Sequence, residues 1–84
     1  MTERNLQRPA HPYFRTQVLW KFIVPEYVTR FGEVLKVAGS LPELGAWDLE
    51  KAPIMGWQPG HRWSLEQMLP IGADFEFKAS QATG

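Results

Sequence analysis

The sequence predicts an all-β fold, an immunoglobulin-like antiparallel β-sandwich. Short apolar stretches alternate with turn signals at about the eight- to twelve-residue spacing typical of such sandwiches. No apolar pattern of helical period is sustained along the chain. The length of 84 residues allows one small domain, which buries only about 60% of its unfolded surface and therefore has a small core.

The first predicted strand covers residues 18–24, VLWKFIV. Alternation gives it two faces, one with Val18, Trp20, Phe22 and Val24 and the other with Leu19, Lys21 and Ile23. Both faces are mostly apolar, so we expect the strand to lie between a core and a covering loop or second sheet. Trp20 is accordingly expected in the core.

The second predicted strand covers residues 33–38 and follows a turn at Phe31-Gly32. Glycine and proline then end this strand and begin a loop over residues 40–50. A glycine within that loop permits a tight bend just before Trp47. Residues 52–55 predict a further short strand.

Four elements are predicted towards the C-terminus: a turn at 57–61, a strand at 62–69, a second turn at 70–74 and a last strand at 75–78. The longer strand alternates only weakly, and Trp63, Leu65 and Met68 are expected to face inward. Trp63 is interpreted as a core residue.

These elements define a folded domain over residues 18–79. Residues 1–17 carry three arginines against one acidic residue and contain two prolines. They predict a flexible basic arm, and their composition also fits the remnant of an organelle transit sequence. The small polar residues 80–84 predict a flexible tail.

Composition excludes several classes of function. There is no cysteine, and the two histidines, His11 and His61, have no second ligand at a recognisable spacing, so neither a metal site nor another cofactor is expected. Nine basic and nine acidic residues give a net charge of zero, which disfavours nucleic acid as a partner. No apolar run approaches the ~20 residues that span a membrane.

Trp47 is the candidate binding residue that the sequence itself indicates. A tryptophan on a constrained loop offers a flat, rigid surface with one N–H group, which suits a flat hydroxylated ligand such as a carbohydrate. A core anchor beneath the loop is the alternative. No catalytic residue is predicted. Three acids near Trp47, Glu43, Asp48 and Glu50, have no deep cleft around them. Two serines, Ser40 and Ser64, have no partnered histidine.

Two segments, taken in order with a tryptophan between them, resemble a known family. GEVLKVAGSLPELGAWD ends in a Leu-Gly-x-Trp loop, and LPIGADFEFK leads into Phe-Glu-Phe-Lys. This set is similar to the starch-binding domain, carbohydrate-binding module family twenty. The resemblance implies a non-catalytic module that binds starch, glycogen, maltooligosaccharides or cyclodextrin by aromatic stacking and targets an attached or associated protein to polyglucan.

The resemblance also implies two groups of sugar-contacting residues. In the first, Trp47 stacks on glucose and Lys78 donates to a sugar hydroxyl; a solvated strand-edge lysine is the alternative for Lys78. In the second, Phe31 and Trp57 contribute aromatic rings on the opposite side of the domain. Packing within its own turn is the preferred interpretation of Phe31, whereas Trp57 is expected to be exposed.

The chain departs from the family pattern at its C-terminus. A second stacking tryptophan is expected beyond Lys78, but the sequence ends at Gly84, which predicts a sandwich lacking its last one or two strands. The resulting open edge suggests an alternative function, a protein-interaction β-sandwich that binds another polypeptide or a second copy of itself. The starch ligand and the basic arm together suggest a plastid or another starch-containing compartment.

Overall fold

The computed structural model describes residues 16–83, which form strands and one short 3₁₀ helix. The strands are β1 (Gln17–Val24), β2 (Glu33–Gly39), β3 (Gly56–Gln58), β4 (Arg62–Pro70) and β5 (Phe77–Thr83). The 3₁₀ helix η1 covers Pro42–Trp47 within the predicted loop. Residues 1–15 of the predicted arm lie outside the described part, and β1 already begins at Gln17. Within residues 16–83, no helix has the length and apolar character needed to cross a membrane.

The strands form two antiparallel sheets. One sheet has the order β1-β4-β3, and the other pairs β2 with β5. The predicted antiparallel, all-β sandwich is therefore confirmed. The first, second and fourth strands also agree with the predicted ranges to within one residue at each end.

The core lies between the sheets and takes side chains from both. It consists of Phe22, Leu35, Val37, Leu44, Met55, Trp63 and Leu69. Burying side chains of this size stabilises the fold by about 1.5–3 kcal/mol each. The prediction that Trp63 is a core residue is confirmed, and its indole N–H donates to the Tyr27 carbonyl at 3.0 Å. This bond satisfies a polar group that burial would otherwise leave without a partner.

On one side of the sandwich, here called the closed side, the chain passes from one sheet to the other. The Val37 N–H donates to the Pro53 carbonyl at 3.1 Å, and the Met55 N–H donates to the Leu35 carbonyl at 2.8 Å. Residues 53–55 therefore run along β2, and the residues that follow form β3 against β4.

Two boundaries near the closed side differ from the prediction. In place of a strand over 52–55 there is an isolated bridge between Lys36 and Ile54, and β3 begins at Gly56. The predicted turn at 57–61 is shorter, because Trp57 pairs with Trp63 in the sheet. The turn begins only at Pro59, which cannot donate a ladder hydrogen bond.

On the opposite side, here called the open side, β1 and β5 are the edge strands of the two sheets, as β3 and β2 are on the closed side. The rings of Phe22 and Phe77 meet there at 4.9 Å, beside an apolar groove of about 190 Å³. The prediction that Trp20 is a core residue is wrong, since the side chain is 40% exposed. It shares the inner face of β1 with Phe22 but borders this groove, where no strand covers it in the described part of the chain.

Three further predictions are wrong near the C-terminus. Met68 pairs with Leu19 and is exposed, because strict alternation in β4 places Trp63 and Leu69 on the inner face instead. The last strand runs from Phe77 to Thr83 rather than over 75–78. Residues 80–83, predicted as part of a flexible tail, pair with β2 through backbone groups, which requires no apolar side chains.

Candidate functional site

Phe31 lies at the tip of a tight turn before β2 and is fully exposed. The Glu33 N–H donates to the Arg30 carbonyl at 2.9 Å, and the Arg30 N–H donates to Glu33 Oε1 at 2.7 Å. Gly32 has a φ of +90°, which glycine adopts without a Cβ clash. This turn therefore holds a large apolar ring in solvent. The preferred interpretation of Phe31, packing against its own turn, is wrong.

Trp57 lies on β3, an edge strand, and its side chain is 52% exposed, in agreement with the expectation for this residue. Phe31 and Trp57 line the same groove, which has a volume of about 320 Å³. We call it the Phe31–Trp57 groove; its other lining residues are Thr29, Arg30, Gly32, Glu33, His61 and Trp63. Two aromatic rings that are 26 positions apart in sequence are thus brought to one surface.

Tyr27 connects the parts of the protein that surround this groove. Its N–H donates to the His61 carbonyl at 2.9 Å, and its carbonyl accepts the Trp63 indole N–H at 3.0 Å. Its hydroxyl donates to Gln81 Oε1 of β5 at 2.7 Å. The segment before Phe31 is therefore bonded to both sheets, which fixes the position of the turn that carries the phenylalanine.

His61 contacts Trp57 from the turn between β3 and β4. The two rings meet edge to face, with centroids 6.0 Å apart and planes at 73°. This geometry falls within the range in which aromatic pairs attract each other. His61 itself has a φ of +56°, a left-handed conformation that histidine adopts more readily than most residues with a Cβ.

Trp47 lies at the end of η1 and is 49% exposed, so it is not the core anchor of its loop. Leu44, which is fully buried, anchors the loop in the core instead. Three consecutive residues, Gly45, Ala46 and Trp47, have left-handed φ values of +85°, +49° and +69°. For each of the two that carry a Cβ, this conformation costs roughly 1–2 kcal/mol. The unusual backbone turns the indole outward.

Contacts on both sides of the loop hold this conformation. A Cβ at Gly45 would lie 2.8 Å from the Ala52 nitrogen, so only glycine allows this close approach. The Ala46 N–H donates to the Leu41 carbonyl at 3.0 Å. The Lys36 Nζ donates to the Leu49 carbonyl at 2.9 Å and attaches the loop to β2.

Lys78 lies on β5 at the end of the sheet nearest to η1. It pairs with Ala38 of β2, and the next residue, Gly39, lies against Leu44 of η1. Trp47 and Lys78 are therefore attached to neighbouring positions of β2. We call these two residues the Trp47–Lys78 face, a second candidate surface; neither residue lines the Phe31–Trp57 groove.

Three of the polar residues considered for catalysis, Asp48, Ser40 and Ser64, accept hydrogen bonds within the fold, whereas Glu43 Oε1 is buried without a hydrogen-bond partner in the described part of the chain. Asp48 Oδ1 accepts the Glu50 N–H at 3.0 Å, and Ser40 Oγ accepts the Glu76 N–H at 3.0 Å. Ser64 Oγ accepts a bond from Gln58 at 3.1 Å. Among residues 16–83 there is no group of three or more potential metal ligands; His11 lies outside this range.

Sequence reasoning missed His61 as a lining residue of the groove and Tyr27 as the residue that supports it. His61 could have been found, because a three-residue turn after Trp57 brings position 61 back beside the strand that carries the indole. Tyr27 had no such signal. Its bonds join it to residues 34, 36 and 54 positions away, and no local pattern encodes those distances.

Several proteins are similar to this chain in sequence. The AA13 family lytic polysaccharide monooxygenase A of Pyricularia oryzae is 39% identical over 54 residues, 60% of this chain. The β-amylase of Bacillus cereus is 32% identical over 66 residues, 76% of this chain. Glucoamylase-1 of Arthroderma benhamiae is 35% identical over 60 residues, 67% of this chain.

In each case the similarity covers a small part of the relative: 14%, 12% and 10% of their lengths, respectively. No solved structure matched the chain. A family model described as the starch binding domain matches residues 15–83, a range that includes every strand and both candidate surfaces. The chain therefore belongs to the starch-binding domain family.

Proposed function

We propose that this chain is a non-catalytic module that binds starch or related α-1,4-glucans, with the Phe31–Trp57 groove as its main contact surface. Glycogen, maltooligosaccharides and cyclodextrin are the other ligands of this class. Binding would hold an attached or associated protein on polyglucan. Membership of the starch-binding domain family supports the ligand class, and the two exposed aromatic rings support the surface.

The observation that carries the proposal is the fully exposed Phe31 on a turn closed by two hydrogen bonds. An exposed phenylalanine forgoes about 1.5–3 kcal/mol of burial, yet the turn keeps the ring in solvent and beside Trp57. Such a ring has apolar surface available for a ligand. A pyranose ring offers a matching apolar C–H face, with its hydroxyl groups at the ring edge.

The energetics fit modest affinity at a single surface. Covering an aromatic ring with one sugar face contributes about 1–3 kcal/mol by area. The loss of translational freedom opposes this gain, so one groove alone binds weakly. Starch presents many equivalent sites, and simultaneous contacts raise the overall strength of attachment.

The Trp47–Lys78 face is proposed as a second, weaker contact. Trp47 offers an exposed indole on a loop held by Leu44 and Lys36. Lys78 adds an ammonium group that can donate to sugar hydroxyls. A single aromatic ring provides less stacking area than the pair in the groove.

A binding role rather than a catalytic one is supported by the acidic residues near Trp47. Asp48 bonds to the Glu50 backbone and so shapes the loop. Glycosidases require two carboxyl groups at defined separations on either side of the scissile bond. The Phe31–Trp57 groove is lined by a single acidic residue among the described ones, Glu33.

Depletion of the protein from solution by insoluble starch tests the proposal. We expect Trp57→Ala to weaken retention about tenfold, because the lost stacking is worth about 1.4 kcal/mol or more. Trp47→Ala should weaken it less, and Ile71→Ala, at an exposed apolar residue outside both surfaces, should not change it. Unchanged retention in both tryptophan variants would refute the sugar-stacking account. Titration with β-cyclodextrin, followed by tryptophan fluorescence, provides an independent measurement.

A second candidate function, self-association, is favoured by the open side. Its apolar groove lies between the outer strands β1 and β5, and β1 carries one charged residue, Lys21, along its eight positions. Outer strands with few charges pair readily with other chains. A second copy of this chain is the partner proposed, since a net charge of zero produces no long-range repulsion between copies.

A further inference from the structure

His61 occupies a position whose backbone is fixed by the turn and by a hydrogen bond. It follows Gly60, and both residues have left-handed φ values, of +90° and +56°. The carbonyl of His61 accepts the Tyr27 N–H at 2.9 Å. The direction in which the imidazole leaves the backbone is therefore set by the turn and by Tyr27.

The imidazole lies against Trp57 and lines the same groove as Phe31. Trp57 is on an edge strand with about half of its surface exposed. A tryptophan in such a place can adopt several side-chain rotamers unless a neighbour restricts it. The edge-to-face contact with His61 supplies such a neighbour.

We propose that His61 is a positioning residue that holds the Trp57 indole at the groove, oriented to receive a sugar ring. The proposal rests on the function proposed above, in which Trp57 stacks on glucan. It adds that part of the affinity comes from restricting the indole before the ligand arrives. Ordering one large side chain at the moment of binding weakens affinity by about threefold to tenfold.

Two substitutions separate this role from a purely structural one. His61→Asn removes the ring but tolerates the left-handed backbone. It should leave the unfolding midpoint within a few degrees of the wild type and weaken binding of maltoheptaose threefold to tenfold. His61→Phe keeps a ring at the same place but strains the backbone, so it should lower the midpoint and retain most of the affinity.

The opposite responses of the two variants are the signature of a positioning residue. A purely structural residue would lose affinity in proportion to stability, so that His61→Phe would be the weaker binder. That result, or wild-type affinity in His61→Asn, would overturn the proposal.

A measurement without glucan keeps this inference distinct from the proposed function. The contribution of Trp57 to the near-ultraviolet circular dichroism is the difference between the spectrum of the wild type and the spectrum of Trp57→Phe. We expect this signal to fall in His61→Asn and to persist in His61→Phe. If the signal in His61→Asn equals that of the wild type, His61 does not hold the indole. If the signal falls but Trp57→Ala binds glucan as the wild type does, the proposed function of the groove fails instead.

Discussion

At the scale of single residues, exposure alone does not separate a ligand-binding aromatic ring from a displaced core residue. Trp20 and Trp57 are exposed to similar extents, but their surroundings differ. The ring of Trp20 stacks on Phe22 at 6.0 Å and meets Phe75 at 5.2 Å. Trp57 instead lines a groove with the fully exposed Phe31. The contacts of each ring, rather than its exposed area, indicate Trp57 as the candidate for stacking.

Phe31→Ala should weaken glucan binding about fivefold to tenfold, because it removes one of the two apolar rings of the groove. Stability should change by no more than about 0.5 kcal/mol, since Phe31 makes little contact with the fold. Phe31→Tyr should retain the affinity, as the ring remains. Isothermal titration with maltoheptaose measures the affinity, and Val28→Ala, also exposed, is the control. A substantial loss of stability in Phe31→Ala, with unchanged affinity, would mean that the ring serves the fold.

At the scale of elements, the loop from Leu41 to Ala52 has an unusual backbone geometry in place of a regular strand or helix. Proline begins η1, but left-handed residues from Gly45 to Trp47 prevent the helix from continuing. Backbone bonds within the loop and the bond from Lys36 to Leu49 compensate for the strain. Strained backbone that the surrounding contacts maintain is often found where a side chain has a functional role.

Gly45→Ala should destabilise the protein by about 2–4 kcal/mol. The new Cβ must adopt a left-handed φ and also lies too close to the Ala52 nitrogen. The free energy of unfolding, measured with urea, gives the loss. Ala46→Gly is the matched control, because φ is +49° there and glycine relieves the strain; its stability should be unchanged or higher. Equal losses in the two variants would show that the loop does not have this geometry in solution.

At the scale of the whole molecule, the two sides of the sandwich differ in how they end. Backbone bonds from residues 53–55 to β2, followed by β3 against β4, complete the closed side. The open side leaves apolar residues of both sheets accessible between β1 and β5. A groove of this composition, bordered by two outer strands, favours association with another chain.

Lysine substitutions on β1 test whether copies of the chain pair along the open side. Leu19 and Ile23 are both about half exposed, so Leu19→Lys and Ile23→Lys together should cost little stability. Analytical ultracentrifugation should show a concentration-dependent dimer for the wild type and a monomer for the double variant. Glu66→Lys, on the central strand of that sheet, is the matched charge control. A wild-type monomer at all concentrations would eliminate the self-association hypothesis.

Much of the architecture could be predicted from the sequence, because apolar stretches between turn signals locate β1, β2 and β4. The buried side chains of β1 and β4 were predicted less well, as Trp20 and Met68 show. The short β3 could not be predicted, since Trp57 next to Pro59 and Gly60 has the composition of a turn. The extent of β5 was also hidden: residues 80–83 are small and polar, and their place in the sheet depends on backbone pairing with Glu33 to Lys36. Patterns of side chains do not record such pairing.

The candidate site was predictable in its residue types but not in its assembly. The loop pattern and the family resemblance indicated Trp47, Lys78, Phe31 and Trp57. That Phe31 and Trp57 share a groove follows from the turn at Arg30 and from the bonds of Tyr27 across the end of the sandwich. These contacts join residues that are far apart in the sequence. The sequence alone does not reveal them and suggests only two isolated aromatic residues.

The closed side has a consequence for local unfolding. Because the chain itself joins the sheets along 53–58, a fluctuation that separates them must rotate them about that segment and open them at β1 and β5. Backbone amides of β1 and β5 should therefore exchange with solvent through openings that cost less free energy than those of β2 and β4. Trp57 and the loop that carries Trp47 are both attached to the closed side, so these two indoles keep their positions while the opposite side of the sandwich opens and closes.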